Sequence, residues 1–138
     1  MKKTLFAIAL LCTVWCAVCQ NVVDKEGRKQ GHWVKTDKDG TKIYEGDFID
    51  GNETGTFRYF YHDGTVRIVN EFEGTTMRCS HKAYDENGHL IASGFYNKKN
   101  RDGAWLFYTE DGKLIKKAHY KMGVREGEQV IFNKDGDT

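Results

Sequence analysis

The sequence predicts an all-β protein, a single antiparallel meander of repeated β-hairpins in a curled open sheet. An Asp-Gly or Asn-Gly pair recurs every 24 residues without a slip, placing glycine at positions 40, 64, 88, 112 and 136. Such pairs between aromatic-rich runs are the strongest local sign of a hairpin. No apolar period of about 3.6 residues, long enough for a helix, follows the first 19 residues. We therefore expect about nine or ten strands, each paired with its sequence neighbours.

Residues 1–19 are predicted to be a signal peptide. Two lysines near the N-terminus precede the apolar run 5–18, which is too short to anchor the chain in a membrane. Small residues lie just before Gln20, as signal peptidase requires. We expect an exported protein, periplasmic or extracellular, whose β-repeat domain spans residues 20–138.

Three of the four cysteines lie in this leader, so the Cys16-Ala17-Val18-Cys19 spacing does not indicate a redox or zinc pair. Lipidation of Cys16 or Cys19 is the alternative to a freely exported chain, although Trp15 and Val18 are poor matches to the small residue preceding a lipidated cysteine. Only Cys79 then remains, which leaves no internal disulfide. Cys79 is interpreted as a small apolar residue in a strand glycine position, with a reactive thiol or a link between two chains as alternatives.

The composition favours one globular domain and argues against nucleic acid as a partner. The chain has 138 residues, 39% hydrophobic and 13% aromatic, which is enough for a core. The formal charge is +1, and about −1 without the two leader lysines. A nucleic-acid binder would normally show a basic excess or stripe.

The 24-residue step places the elements in order. Residues 20–24 align with 44–48 and predict an edge strand left from a truncated first unit. Full hairpins follow, and a fifth unit beginning at Gly127 supplies one strand; the hairpins are predicted at 31–48, 55–72, 79–96 and 103–120. The Asp-Gly and Asn-Gly pairs predict two-residue type I′ turns. The connections between units, such as residues 50–54, are polar and predict longer loops.

The turn positions also predict the register of each hairpin. The expected cross-strand pairs are Trp33 with Gly46, Phe57 with Asn70, His81 with Gly94, and Trp105 with Ala118. In each pair a ring faces a short side chain. We expect the ring to lie over the residue that it faces, as aromatic residues cover glycine in β-sheets.

Alternation along the strands predicts one apolar face and one mostly charged face. Aromatic periodicity of this kind marks a core, with an exposed margin available for binding. The apolar face collects Trp33, Tyr44, Phe48, Phe57, Tyr59, Tyr61, Ile68, Phe72, Ala83, Leu90, Tyr96, Trp105, Phe107, Leu114 and Tyr120. Six aromatic residues of this face are the candidate binding surface: Trp33, Tyr44, Phe57, Tyr59, Trp105 and Phe107.

The repeated unit resembles the MORN repeat in its bacterial variant, in which an Asp-Gly turn is followed by an aromatic and then by Gly-x-Trp-x-x-Tyr. Residues 103–108, Gly-Ala-Trp-Leu-Phe-Tyr, are among the best matches, and the resemblance covers residues 27–136. Cys79 and His81 replace the glycine and tryptophan of the third unit, and Gln129 replaces the aromatic of the fifth. The resemblance implies an all-β scaffold that binds proteins or, in some proposals, phospholipids. Bacterial members are often classed as antitoxin components.

The residues indicate a binding protein rather than an enzyme. The five histidines show no metal-ligand spacing, and no metal or cofactor is expected. Binding to another protein is the leading hypothesis. A membrane surface or a glycan, contacted by Trp33, Tyr59, Trp105 and Phe107, is the alternative, and an antitoxin-like role is another. A hydrolase would require a pocket with two or more converging titratable side chains.

Overall fold

The computed structural model describes residues 20–133 as one sheet of ten antiparallel strands in sequence order. The strands are β1 Val22–Val23, β2 Lys29–Thr36, β3 Lys42–Ile49, β4 Asn52–Phe60, β5 Val66–Phe72, β6 Arg78–Tyr84, β7 Leu90–Asn97, β8 Asn100–Tyr108, β9 Leu114–Lys121 and β10 Val124–Ile131. The all-β class and the meander are confirmed, and β1 and β10 do not close the sheet. The predicted signal peptide and the turn at Asp135-Gly136 lie outside the described residues. Within residues 20–133, no helix is long and apolar enough to cross a membrane.

The predicted register is confirmed in all four hairpins. The cross-strand partners are Trp33 and Gly46, Phe57 and Asn70, His81 and Gly94, and Trp105 and Ala118. Val22 and Val23 pair with β2 at the edge of the sheet, as expected for the truncated first unit.

The predicted type I′ turns within the hairpins are wrong. In the first hairpin the amide of Gly40 donates a hydrogen bond to the carbonyl of Asp37. Gly40 has a positive φ of +83°, whereas Asp39 does not have a positive φ. This is a three-residue loop, a type I turn followed by a left-handed glycine. The Asp37 carboxylate stabilises it by accepting the amides of Asp39 and Thr41, both at 2.9 Å. A bulge in the returning strand restores the predicted register beyond the turn.

Two-residue turns with two positive φ values occur instead between the units. Asp50 and Gly51 have φ values of +50° and +80°, and Ile49 pairs directly with Asn52 across them. Lys98-Lys99 and Met122-Gly123 form the same turn, the type I′ pattern. The longer loop expected at residues 50–54 is therefore wrong, because residues 52–54 already belong to β4.

Each of these tight turns is followed by a bulge at a glycine. Gly55, Gly103 and Gly127 have φ values of +62°, +76° and +68°, and the pairing register shifts by two residues across each of them. A residue with a side chain adopts this left-handed backbone at a cost of about 1–2 kcal/mol. Glycine is therefore the residue that the junction requires.

The junction between β5 and β6 differs because Cys79 stands in the glycine position. Its strands pair from Ile68–Ala83 to Phe72–Cys79 with no register shift. The two residues that form the bulge at the other junctions lie in the loop here, so this loop is longer. The amide of Glu73 closes the loop by donating a hydrogen bond to the carbonyl of Arg78 at 2.9 Å. The 24-residue period is preserved although the local geometry has changed.

The apolar face holds two groups of aromatic rings, separated along the sheet by this junction. The N-terminal cluster comprises Trp33, Tyr44, Phe48, Phe57, Tyr59 and Phe72. The C-terminal cluster comprises His81, Tyr96, Trp105 and Phe107. The centres, Phe57 and Trp105, are each 1% exposed, so these residues form the core.

Two rings also cover a neighbour that the register did not predict. A Cβ atom built on Gly46 would lie 2.4 Å from the ring of Phe57, and one on Gly94 would lie 2.4 Å from Trp105. Each ring therefore leans over the glycine of the preceding hairpin, while Trp105 also lies across the strand pair from Ala118, which is fully buried. The register specifies which residues are opposite, but the direction in which a side chain leans depends on the next strand.

Candidate binding groove

A groove opens on the apolar face, beside the loop that connects β5 and β6. Its volume is about 660 Å³, and its lining residues include Lys29, Glu53, Tyr59, Met77, Cys79 and Tyr96. The inter-unit turns bring Gly51 and Lys99 to its rim. The long β5–β6 loop contributes Met77 to the lining. The groove is thus built at the irregular junction.

The candidate binding residues divide into core and surface. Phe57 and Trp105 are 1% exposed and support the surface from below. Tyr44 and Tyr59 line the groove and are half-buried. Trp33 and Phe107 are also half-buried and lie in the N-terminal and C-terminal clusters. Binding of a partner by any of these residues stays a prediction.

Tyr59 and Cys79, both in the groove, hold their protons at neutral pH. Burial, reinforced by the nearby Glu53 carboxylate, raises the pKa of Tyr59 to about 12. Burial and Glu53 also raise the pKa of the Cys79 thiol, which is 3% exposed. A protonated, buried thiol is a poor nucleophile, which favours the interpretation of Cys79 as a packed apolar residue.

Glu53 and Tyr59 converge in the groove, with the tyrosine hydroxyl donating to the carboxylate at 3.5 Å. A hydrolase would require converging titratable side chains of this kind. The phenol and the thiol are both stabilised in their protonated forms, so this set offers hydrogen-bond donors and aromatic surface rather than an activated nucleophile. The arrangement is suited to binding.

Two cations that the motif analysis did not identify also lie on the apolar face. Lys29 donates to the hydroxyl of Tyr44 at 2.9 Å, and Arg101 donates to that of Tyr120 at 3.3 Å. They occupy the same place in their repeats, two residues before a glycine with a positive φ, Gly31 or Gly103. This shared repeat position could have been found from the sequence. The residues at positions 29, 53, 77, 101 and 125, each 24 apart, are Lys, Glu, Met, Arg and Arg.

The histidines have structural surroundings. His81 contacts Asn70, with 2.7 Å between its Nδ1 and the amide oxygen, and packs at 5.3 Å from the ring of Trp105. Burial, together with the charge of Arg101, lowers the pKa of His81. His32 and His89 each lie beside a single carboxylate at the surface. Across residues 20–133 there is no group of three or more His, Cys, Asp or Glu side chains that could hold a metal ion.

Comparison with known families supports the resemblance inferred from the repeats. Residues 80–98 and 101–122 match the family model described as the MORN repeat variant. These segments coincide with the β6–β7 and β8–β9 hairpins and include the unit that carries His81. No match was found among curated proteins or solved structures.

Proposed function

We propose that this MORN repeat protein is a non-catalytic scaffold that binds another protein on the apolar face of its sheet. MORN repeats are generally modules for binding proteins or membranes. The observation that carries the proposal is the groove beside the β5–β6 loop, which combines aromatic surface with hydroxyl donors and no activated nucleophile. Such concave, partly apolar surfaces are typical of binding sites.

The proposal includes export of the chain. The basic start, the apolar run and the small residues before Gln20 support a cleaved signal peptide. The partner would then be met in the periplasm or outside the cell. Mass spectrometry of the mature N-terminus tests this part, and an intact Met1 in the purified cell-envelope fraction would contradict it.

Site-specific photo-crosslinking tests the binding surface. A photoreactive amino acid placed at Met77, which is 48% exposed beside the groove, should give a discrete crosslinked partner in cells. The matched control is the same amino acid at Ile91, on the opposite side of the sheet and 36% exposed. Crosslinks of equal yield at both positions would contradict a binding role for the groove.

A phospholipid surface is the second candidate, favoured by the two cations set among aromatic rings on this face. Flotation with phosphatidylserine-rich liposomes separates the candidates. Co-flotation that requires Lys29 and Arg101, without a protein crosslink at Met77, would favour the membrane.

A further inference from the structure

We infer that the apolar face recognises an acidic, extended peptide segment whose carboxylates pair with Lys29 and Arg101. The inference rests on the proposed protein-binding function and specifies the chemistry of the partner. Its evidence is the surroundings of the two cations, their spacing, and the charges between them.

Lys29 is a half-buried cation surrounded by rings. Its ammonium lies 4.7 Å from the ring centres of both Trp33 and Phe48 and 5.6 Å from that of Tyr44. The rings stabilise the charge electrostatically and fix the position of the side chain. Their faces supply no oxygen acceptor, so the hydroxyl of Tyr44 is the acceptor that the ammonium uses here.

Arg101 repeats this arrangement in the C-terminal cluster. Its guanidinium carbon lies 4.5 Å from the ring centre of Trp105, 5.4 Å from Tyr120 and 5.9 Å from Phe107. Burial disfavours the charged form, but hydrogen bonds to the hydroxyls of Tyr120 and Tyr96 together outweigh it and raise the pKa of Arg101. A guanidinium has five N–H donors in a planar fork, so donors remain for a carboxylate.

Neither cation forms an ion pair with a carboxylate within the part of the chain that the structure describes. Some other cations do so, as Lys42 does with Glu45 and Arg28 with Asp24. A carboxylate reaching Lys29 or Arg101 would meet a preorganised, partly desolvated cation, where charge-assisted hydrogen bonds are stronger than in open water.

The spacing specifies an extended ligand. Lys29 is on β2 and Arg101 on β8, six strands apart. Neighbouring strands are about 4.8 Å apart, which puts the two sites about 29 Å apart along the sheet. An extended chain covers about 3.3 Å per residue, so its two acidic groups would be separated by about nine residues.

Glu53 lies between the two cations and sets the remaining pattern. It occupies the equivalent repeat position and lines the groove. A third acidic group on the ligand at this point would meet a like charge. The peptide should therefore be acidic at both ends and neutral and apolar in the middle, where it meets Tyr59 and Met77.

Fluorescence anisotropy of the purified chain with synthetic peptides tests the inference. The probe is a fluorescein-labelled peptide of about 12 residues, with paired glutamates at each end and Phe, Ser and Thr between them. We expect it to bind at least about tenfold more tightly than the same peptide with glutamine in place of glutamate. Equal affinity for the two peptides would overturn the inference.

Matched variants locate the contact. Lys29→Gln and Arg101→Gln should each weaken binding of the acidic probe about tenfold, and Glu53→Gln should strengthen it. Lys82→Gln and Lys117→Gln, on the opposite face, should leave affinity unchanged. Circular dichroism and the urea midpoint confirm folding of each variant, and Arg101→Met, which keeps an aliphatic side chain but removes the charge, serves if Arg101→Gln unfolds. Equal losses in the opposite-face controls would contradict the assignment.

Two further results separate this inference from the proposed function. Binding of phosphatidylserine-rich vesicles in place of the peptide, lost in the same variants, would overturn the peptide and assign the cations to a membrane. A crosslinked partner at Met77 that persists in the Lys29→Gln/Arg101→Gln double variant would leave the protein-binding proposal standing and contradict the acidic segment.

Discussion

Three junctions between the hairpins use glycine in the same way, and the β5–β6 junction does not. After a tight turn, Gly55, Gly103 and Gly127 take left-handed φ values and shift the register by two residues. At Cys79 the strands pair straight, and the same number of residues is redistributed into a longer loop. The comparison shows that the repeat length can be conserved while the turn and bulge are exchanged for a loop.

The irregular junction also changes the packing on either side. At the other ring positions Phe57 covers Gly46 and Trp105 covers Gly94, whereas His81 forms a hydrogen bond with Asn70. His81 and Asn70 thus replace the aromatic ring and the glycine beneath it. This replacement lies at the boundary between the two aromatic clusters. The groove and its loop residue Met77 lie at this boundary.

The largest effect is expected from emptying the centre of each cluster. Phe57→Ala and Trp105→Ala should each reduce the free energy of unfolding by about 3–5 kcal/mol, because both side chains are fully buried. If the irregular junction isolates the clusters, the double variant should be additive within about 0.5 kcal/mol in urea unfolding. Trp105→Ala with Tyr96→Ala, whose rings are 5.0 Å apart, is the coupled control.

The next effect concerns the residue beneath each ring. Gly94→Ala should destabilise the protein by about 3 kcal/mol, because its Cβ would lie 2.4 Å from the rigid indole of Trp105. Asn70→Ala, at the equivalent place beneath His81, should cost about 1 kcal/mol by losing one hydrogen bond. Thermal unfolding of the two variants would contradict the comparison if the order were reversed.

Copying the irregular junction onto a regular one should have a smaller effect. Gly103→Cys forces a side chain into a backbone with a φ of +76° and should cost about 1–2 kcal/mol. Gly103→Asn is the matched control, since asparagine tolerates this region better, and it should lose less stability. Urea midpoints that are equal for the two variants would show that backbone strain does not limit this junction.

The smallest expected effect is a pH dependence confined to the irregular unit. Burial lowers the pKa of His81, so the folded state binds its proton less readily than the unfolded state. The stability contributed by neutral His81 is present above its unfolded pKa of about 6.5 and is lost as pH falls through the lower folded value. The urea midpoint of the wild type should therefore fall between about pH 7 and pH 5.

His81→Phe provides the control, because it restores the ring found in the second unit and removes the titration. Its urea midpoint should vary less over the same pH range. Asp63, whose pKa is lowered by hydrogen bonds from Thr65, stays ionised over this range and does not interfere. A wild-type midpoint as flat as that of His81→Phe would contradict coupling of His81 to stability.

The fold could be predicted from the sequence because the 24-residue step and strand alternation act over the whole chain. The four hairpin registers followed from the glycine positions alone. Turn types could not be assigned correctly, because an Asp-Gly pair fits both a two-residue turn and a three-residue loop. The loop forms with Asp37 before it in the first hairpin and with Tyr61 in the same position of the second. Lys98-Lys99 forms a type I′ turn that residue preference alone would not select.

The groove could be predicted only in part. Its aromatic residues followed from alternation, but the covering of Gly94 by Trp105 depends on the direction in which the indole leans toward the preceding strand. Lys29 and Arg101 were visible as a repeat position but not as ring-surrounded cations, since that requires the geometry of three strands. Sequence patterns specify which residues share a face; they do not specify the distances among them.

Because each strand in residues 20–133 is hydrogen-bonded to its neighbours in sequence, the sheet has a particular response to mechanical force. Tension applied to the two ends would load the hydrogen bonds of one edge strand at a time, as in opening a zipper, rather than shearing many together. The chain would lengthen in steps of one strand or hairpin at low force. A binding partner that spans several strands would bridge successive steps and act as a clamp on the opened edge.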